Sequence, residues 1–137
     1  MNQPRKLPKV KFVVDKPKPK QLERKLQTSC INYFRLQYPQ YLIYAIPNGG
    51  SRNVIEAANL KREGVLAGVA DVHIPVRSGK YFSFFIEFKV GKNSQTPAQK
   101  EFQNKVTVFG NKYEVCRSFD EFKKMVDAYI ETASYEY

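Results

Sequence analysis

The chain predicts an α/β fold, a mixed central sheet flanked by helices, and three observations carry that expectation. Apolar residues recur at three- and four-residue spacing at Leu22, Leu26, Cys30, Tyr33 and Phe34, and a second amphipathic stretch near the other end of the folded part carries Phe122, Val126, Ala128, Tyr129 and Ile130. That spacing builds one face of a helix. Between these helices lie short runs rich in β-branched and aromatic residues, separated by Gly, Pro, Asn and Ser. Further helical stretches alternate with the runs, which sets helices on both faces of the sheet.

In chain order, "QLERKLQTSCINYFRLQYP" reads as a helix that Pro39 closes. "YLIYAIP", residues 41–47, reads as a short strand. An Asn-Gly-Gly turn follows, then a helix around Val54–Glu63, with Gly64 and Gly68 as breakers. "DVHIPV" and "YFSFFIEFKV" flank Arg77–Lys80, whose Ser78-Gly79 predicts a hairpin. After "GKNSQ", the stretch Thr96–Phe109 reads as a helix with Thr96 as N-cap and Pro97 at the first helical position. Gly110 ends it, "KYEVCRS" is the last strand, and Phe119–Thr132 the last amphipathic helix.

A chain of 137 residues is about one domain with room for one core. Its formal net charge of +10 favours an anionic partner, of which nucleic acid is the commonest. Residues 1–20 hold Arg5, Lys6, Lys9, Lys11, Lys16, Lys18 and Lys20 against Asp15, together with four of the eight prolines. Such a segment is expected to be an extended basic arm ahead of a folded domain over residues 21–137. With no long apolar run and no apolar segment behind the basic N-terminus, the expectation is a cytoplasmic protein that engages no membrane. Cys30 and Cys116 are too few for a disulfide framework or a zinc site and read as reduced, packed residues.

The chemistry concentrates in "FIEFKV". Side chains alternate across a strand, so Phe85, Glu87 and Lys89 share one face and Ile86, Phe88 and Val90 the other. Taken alone, Glu87 and Lys89 could be a solvated ion pair on an exposed strand. Asp71, however, begins the preceding strand of the hairpin, and antiparallel pairing can bring it beside Glu87. Two converging carboxylates are costly without a cation, and all-oxygen ligands suit Mg2+ or Mn2+. Lys89 could then orient water or stabilise charge developing on a phosphate, and Gln99 on the next helix could reach back to the site. His73, two residues past Asp71, reads as a structural strand histidine.

Asp71, fifteen residues, and then Glu87-Phe88-Lys89 resembles the D…ExK signature of the PD-(D/E)XK nuclease superfamily. The stretch "AANLKREGVLAGVAD" is similar to the A-x-x-L-K-x-E-G-x-x-A-G-x-x-D block of the VRR-NUC family within it, and "IEFKVGKNSQTPAQKEF" to that family's E-x-K segment and following helix. The likeness spans roughly residues 21–130 and is to the small standalone phage-type members. It implies a PD-(D/E)XK nuclease-like mixed sheet flanked by helices and a metal-dependent DNA endonuclease. Asp71, Glu87 and the Phe88 carbonyl would be metal ligands, with Glu23 of the first helix a further one. Lys89 would be the catalytic lysine and Gln99 the helix glutamine. Asn48, Arg52, Lys61 and Lys92 are expected DNA contacts, and Gly64 and Gly68 are expected to let backbone approach phosphate. Ala70 departs from the family, where proline often precedes the aspartate. By analogy with standalone members the substrate would be branched DNA such as a four-way junction, on which a homodimer would place two sites symmetrically; plain duplex is the other form. A non-catalytic nucleic-acid-binding domain that keeps the fold is the alternative.

Overall fold

The computed structural model describes residues 15–47 and 53–133; Asn48 and Arg52 lie outside them. Four helices and four strands follow in the order α1 (Pro19–Gln37), β1 (Tyr44–Ala45), α2 (Val54–Arg62), β2 (Val72–Ile74), β3 (Phe84–Phe88), α3 (Pro97–Val108), β4 (Lys112–Cys116) and α4 (Phe119–Glu131). The sheet order is β1-β2-β3-β4. The first three strands run antiparallel, and β4 runs parallel to β3 because α3 crosses over between them. The result is the mixed sheet that the sequence predicted.

The strands are shorter than the sequence runs that predicted them. Pro47 closes the run around β1, and Pro75 follows β2 at once, because proline has no N–H to give to a ladder. The hairpin turn falls where Ser78-Gly79 placed it: Ser78 and Tyr81 exchange backbone hydrogen bonds of 3.0 and 2.9 Å around Gly79. The first helix starts at Pro19, inside the segment expected as an arm.

One face of the sheet carries Val72, Ile74, Phe84, Ile86, Phe88 and Cys116, all fully buried. They pack against Cys30 and Phe34 of α1 and Phe122, Val126 and Tyr129 of α4. Removing one such phenylalanine ring would cost about 3–5 kcal/mol. Both cysteines are free thiols in this core. Tyr33 of α1 and Tyr38, which caps its C-terminal end, both donate to Asp127 Oδ1 of α4, at 2.6 and 2.5 Å.

The helix α3 covers the other face. Its half-buried Ala98, Gln99, Phe102, Gln103 and Val106 form one stripe, and Phe102 meets Phe85 edge-on with ring centroids 5.2 Å apart. His73 stacks on Phe85 at 4.1 Å. Its Nδ1 lies 2.6 Å from Tyr44 Oη and its Nε2 2.8 Å from Ser83 Oγ, so this histidine is tied into the sheet. By contrast α2 buries no residue at all, and no helix among the described residues is long and apolar enough to cross a membrane.

Candidate active site

The register of the hairpin decides where the carboxylates lie. Val72 pairs with Ile86, so Asp71 and Glu87, one step further along each strand, come side by side at the end of the ladder. The Phe88 backbone N–H donates to Asp71 Oδ2 at 2.7 Å, and the Asp71 carbonyl accepts from Ile46 N–H at 2.8 Å. A strand residue presents its N–H and C=O to the same side; the Phe88 carbonyl therefore faces the same edge as the Asp71 carboxylate.

Glu87 is 3 % exposed. Its Oε1 accepts from Gln99 Nε2 at 2.7 Å and lies 3.9 Å from Lys89 Nζ. Among the buried side-chain atoms of the described residues, only Glu87 Oε2 faces no hydrogen-bond donor; the Asp71 carboxyl beside it can share a proton with Glu87, but two negative charges there are left uncompensated. Burial, and then the neighbouring Asp71 charge, push the Glu87 carboxyl up to about 8 against the pull of Lys89. Burial raises Asp71 as well, opposed by the N–H of Phe88.

Gln99 is held for its task by the start of α3. Thr96 and Gln99 form a reciprocal capping box: Gln99 N–H donates to Thr96 Oγ1 at 3.2 Å, and Thr96 N–H donates to Gln99 Oε1 at 2.9 Å. With its carbonyl so occupied, the amide nitrogen is the end that faces Glu87. The position of α3 is in turn set by Gly68, whose φ is +87°. A Cβ there would collide with the Ala98 carbonyl group and come within 2.8 Å of Gln99 N. The close approach made by Gly68 is therefore to protein backbone. Gly64, with φ +104° directly after the end of α2, is a helix-terminating glycine with open space around it.

Two cavities open near the carboxylate pair, one reaching it at Lys89 and the other at Asp71. The larger, about 630 Å³, is lined by Lys18, Lys20, Glu23, Lys89, Lys92 and Asn93 among others. The smaller, about 280 Å³, is lined by Lys20, Glu23, Arg24, Gln27, Ile46 and Asp71 among others. Glu23 borders both, and its negative charge raises the Asp71 and Glu87 carboxyls further. It does not close with them into one ligand group: among the described residues no three His, Cys, Asp or Glu side chains are gathered closely enough to hold a metal ion. Asp71, Glu87 and the Phe88 carbonyl are the groups that could hold a hard cation.

Of the expected DNA contacts, Lys92 lines the larger cavity, while Lys61 is exposed on the last turn of α2. Lys20, Arg24 and Asn93 also line the cavities; the sequence reading singles out Lys20 only as an arm cation and the other two not at all. Lys20 and Arg24 carry a signal that could have found them, since they lie at helical spacing from Glu23 and Gln27 on α1. Asn93 carries none.

No family model matches the chain, and no curated protein matches it. Among solved structures it is similar to a "VRR_NUC domain protein", at 28 % sequence identity and a TM-score of 0.68, over 83 % of this chain and 92 % of the other. The mixed four-stranded sheet with its four helices and this neighbour agree in supporting a VRR-NUC domain on a nuclease-like α/β fold.

Proposed function

We propose that the chain is a metal-dependent endonuclease that hydrolyses DNA phosphodiester bonds. The observation that carries this reading is the buried Glu87, with no donor at Oε2, set beside a second carboxylate. Such an arrangement is costly unless a cation completes it. An orphaned oxygen, two carboxylates and a main-chain carbonyl fit Mg2+ or Mn2+, with Asp71, Glu87 and the Phe88 carbonyl as the groups that would hold it. When bound, such an ion lowers the pKa of water and neutralises phosphate charge.

The chain's own residues supply the rest. Phe88 N–H and Gln99 fix one oxygen of each carboxylate, so neither can turn away from the site. Lys89, 8 % exposed at the cavity wall, is placed to stabilise the charge that grows on the phosphate as water attacks. Lys18, Lys20 and Lys92 give the larger cavity the sign that draws in a phosphodiester backbone.

The test is the purified chain with magnesium or manganese, offered linear duplex, flap and four-way junction DNA side by side. Cleavage should require the ion and stop in excess chelator, and the preferred lane identifies the DNA form. Binding without cleavage under every condition would leave a nucleic-acid-binding domain that keeps the fold.

A further inference from the structure

The loop from β3 to α3 forms one wall of the larger cavity, to which it contributes Lys92, Asn93 and Ser94. Gly91 through Ser94 are all exposed, so apolar burial does little to fix their path. Gly91 has φ +56°, a left-handed turn that only redirects the chain. The Asn93 N–H closes the loop on itself by donating to the Val90 carbonyl at 3.2 Å, and Arg117, one residue past β4, ties it to the rest of the fold. Its Nη1 donates to the Gly91 carbonyl at 3.2 Å and to the Asn93 carbonyl at 2.8 Å. A guanidinium nitrogen carries two hydrogens, and its plane is rigid, so one nitrogen can span two carbonyls two residues apart.

Arg117 is itself held at its backbone, where its N–H donates to Glu121 Oε2 at 2.7 Å while Ser118 caps α4. On the far side of the loop, Asn93 Nδ2 donates to Glu23 Oε1 at 3.4 Å. The contacts form a chain from the start of α4, through Arg117 and the loop, to the α1 glutamate across the cavity.

We propose that Arg117 is a positioning residue for this site: it holds the Gly91–Ser94 loop so that Lys92 and Asn93 stand in the cavity wall opposite Glu23. The proposal rests on the reading of that cavity as a nucleic-acid site. Its effect passes through the loop, so it is separable from a direct contact between Arg117 and phosphate.

The experiment uses the full chain as parent, Arg117→Ala, Lys92→Ala and the double variant, with Arg117→Gln as a second probe whose amide nitrogen also carries two hydrogens but is uncharged and reaches less far. Amide hydrogen exchange over residues 91–94 is measured without nucleic acid, and affinity for a short duplex DNA with calcium present. In Arg117→Ala, exchange in the loop should speed up by about tenfold or more while the core amides keep their protection, and Arg117→Gln should fall between. Lys92→Ala should weaken binding by roughly fivefold in the parent, about 1 kcal/mol, but have little further effect in the Arg117→Ala background. In cleavage assays Arg117→Ala should raise KM and leave kcat within a few-fold. Unchanged loop exchange in both Arg117 variants overturns the proposal, and so does a full Lys92→Ala penalty in the Arg117→Ala background, which would make Arg117 an independent contact. A parent that binds no DNA sinks the nuclease reading instead, and the exchange result then judges the loop clamp alone.

Discussion

Two polar clusters lie on the α3 side of the sheet, one at each side of Phe85 along β3. In the first, the hydrogen bonds can be assigned end to end. Asn111 Nδ2 donates to the Val106 carbonyl, so its oxygen accepts from Ser83 Oγ at 2.7 Å. Ser83 must then accept from His73 Nε2, which leaves Nδ1 to accept from Tyr44 Oη. Every polar atom in that run has a partner, and His73 is neutral in it. In the second cluster, Asp71 and Glu87 share two fixed hydrogen bonds and one long ion pair, and one oxygen is left over. The same sheet face thus holds a network that is complete in itself and one that is complete only with something added. Completeness marks the first as structural; the deficit marks the second as a site.

The largest effect should follow from removing the deficit. Glu87→Gln and Asp71→Asn should each lower single-turnover cleavage by about a thousandfold or more and weaken manganese binding in a calorimetric titration. Glu87→Gln should at the same time raise the stability of the metal-free protein at pH 8 by about 1–3 kcal/mol in urea unfolding, because a buried, partly unpaired charge is gone. Equal stability would mean that the folded chain already satisfies Glu87.

Lys89→Ala should lower turnover by about a hundredfold to a thousandfold while manganese affinity is kept or slightly raised. A parental rate would reduce Glu87 and Lys89 to an ordinary ion pair.

The two clusters should also respond to pH with opposite sign. Glu87 keeps its proton up to about 8 when folded but loses it near 4.5 when unfolded. Its contribution to stability is therefore present at low pH and is lost as pH rises through that window, by a few kcal/mol in the metal-free protein. Burial lowers His73 below its usual 6.5, so its contribution is present above 6.5 and is lost as pH falls through the lower folded value. Unfolding in chelator across pH 5 to 8 should show the descending limb in the parent and not in Glu87→Gln. A parent with flat stability over that range would contradict the burial of Glu87.

The smallest effect on catalysis should come from the complete network. His73→Ala should cost about 1–3 kcal/mol of stability, since it removes the ring stacked on Phe85 and its hydrogen bonds to Ser83 and Tyr44, yet leave cleavage within a few-fold of the parent. A thousandfold loss with the fold intact would erase the distinction between the two clusters.

Much of this was legible in the sequence, for local reasons. Asp71 and Glu87 meet because a Ser-Gly turn and a short hairpin join them, and Gln99 follows from a Thr-Pro helix start. The ends of β1 and β2 were overread because Pro47 and Pro75 cut the ladders, and propensity alone gives proline too little weight there. Less legible was the burial of Glu87 and Lys89. Charges alternating with apolar residues signal a wet face, and only the packing of α3 encloses this one. Arg117 left no local trace, since its partners Gly91 and Asn93 are brought to it by the parallel pairing of β3 with β4.

Gly68 carries a consequence for anyone who randomises this chain. Its missing Cβ leaves just the room that the Ala98–Gln99 backbone occupies. Any side chain there must push the start of α3 outward, and Gln99 away from Glu87 with it, besides adopting an unfavourable positive φ. In a saturation screen scored by cleavage, Gly68 would rank among the essential positions and be indistinguishable from Asp71, although it has no group to offer a substrate.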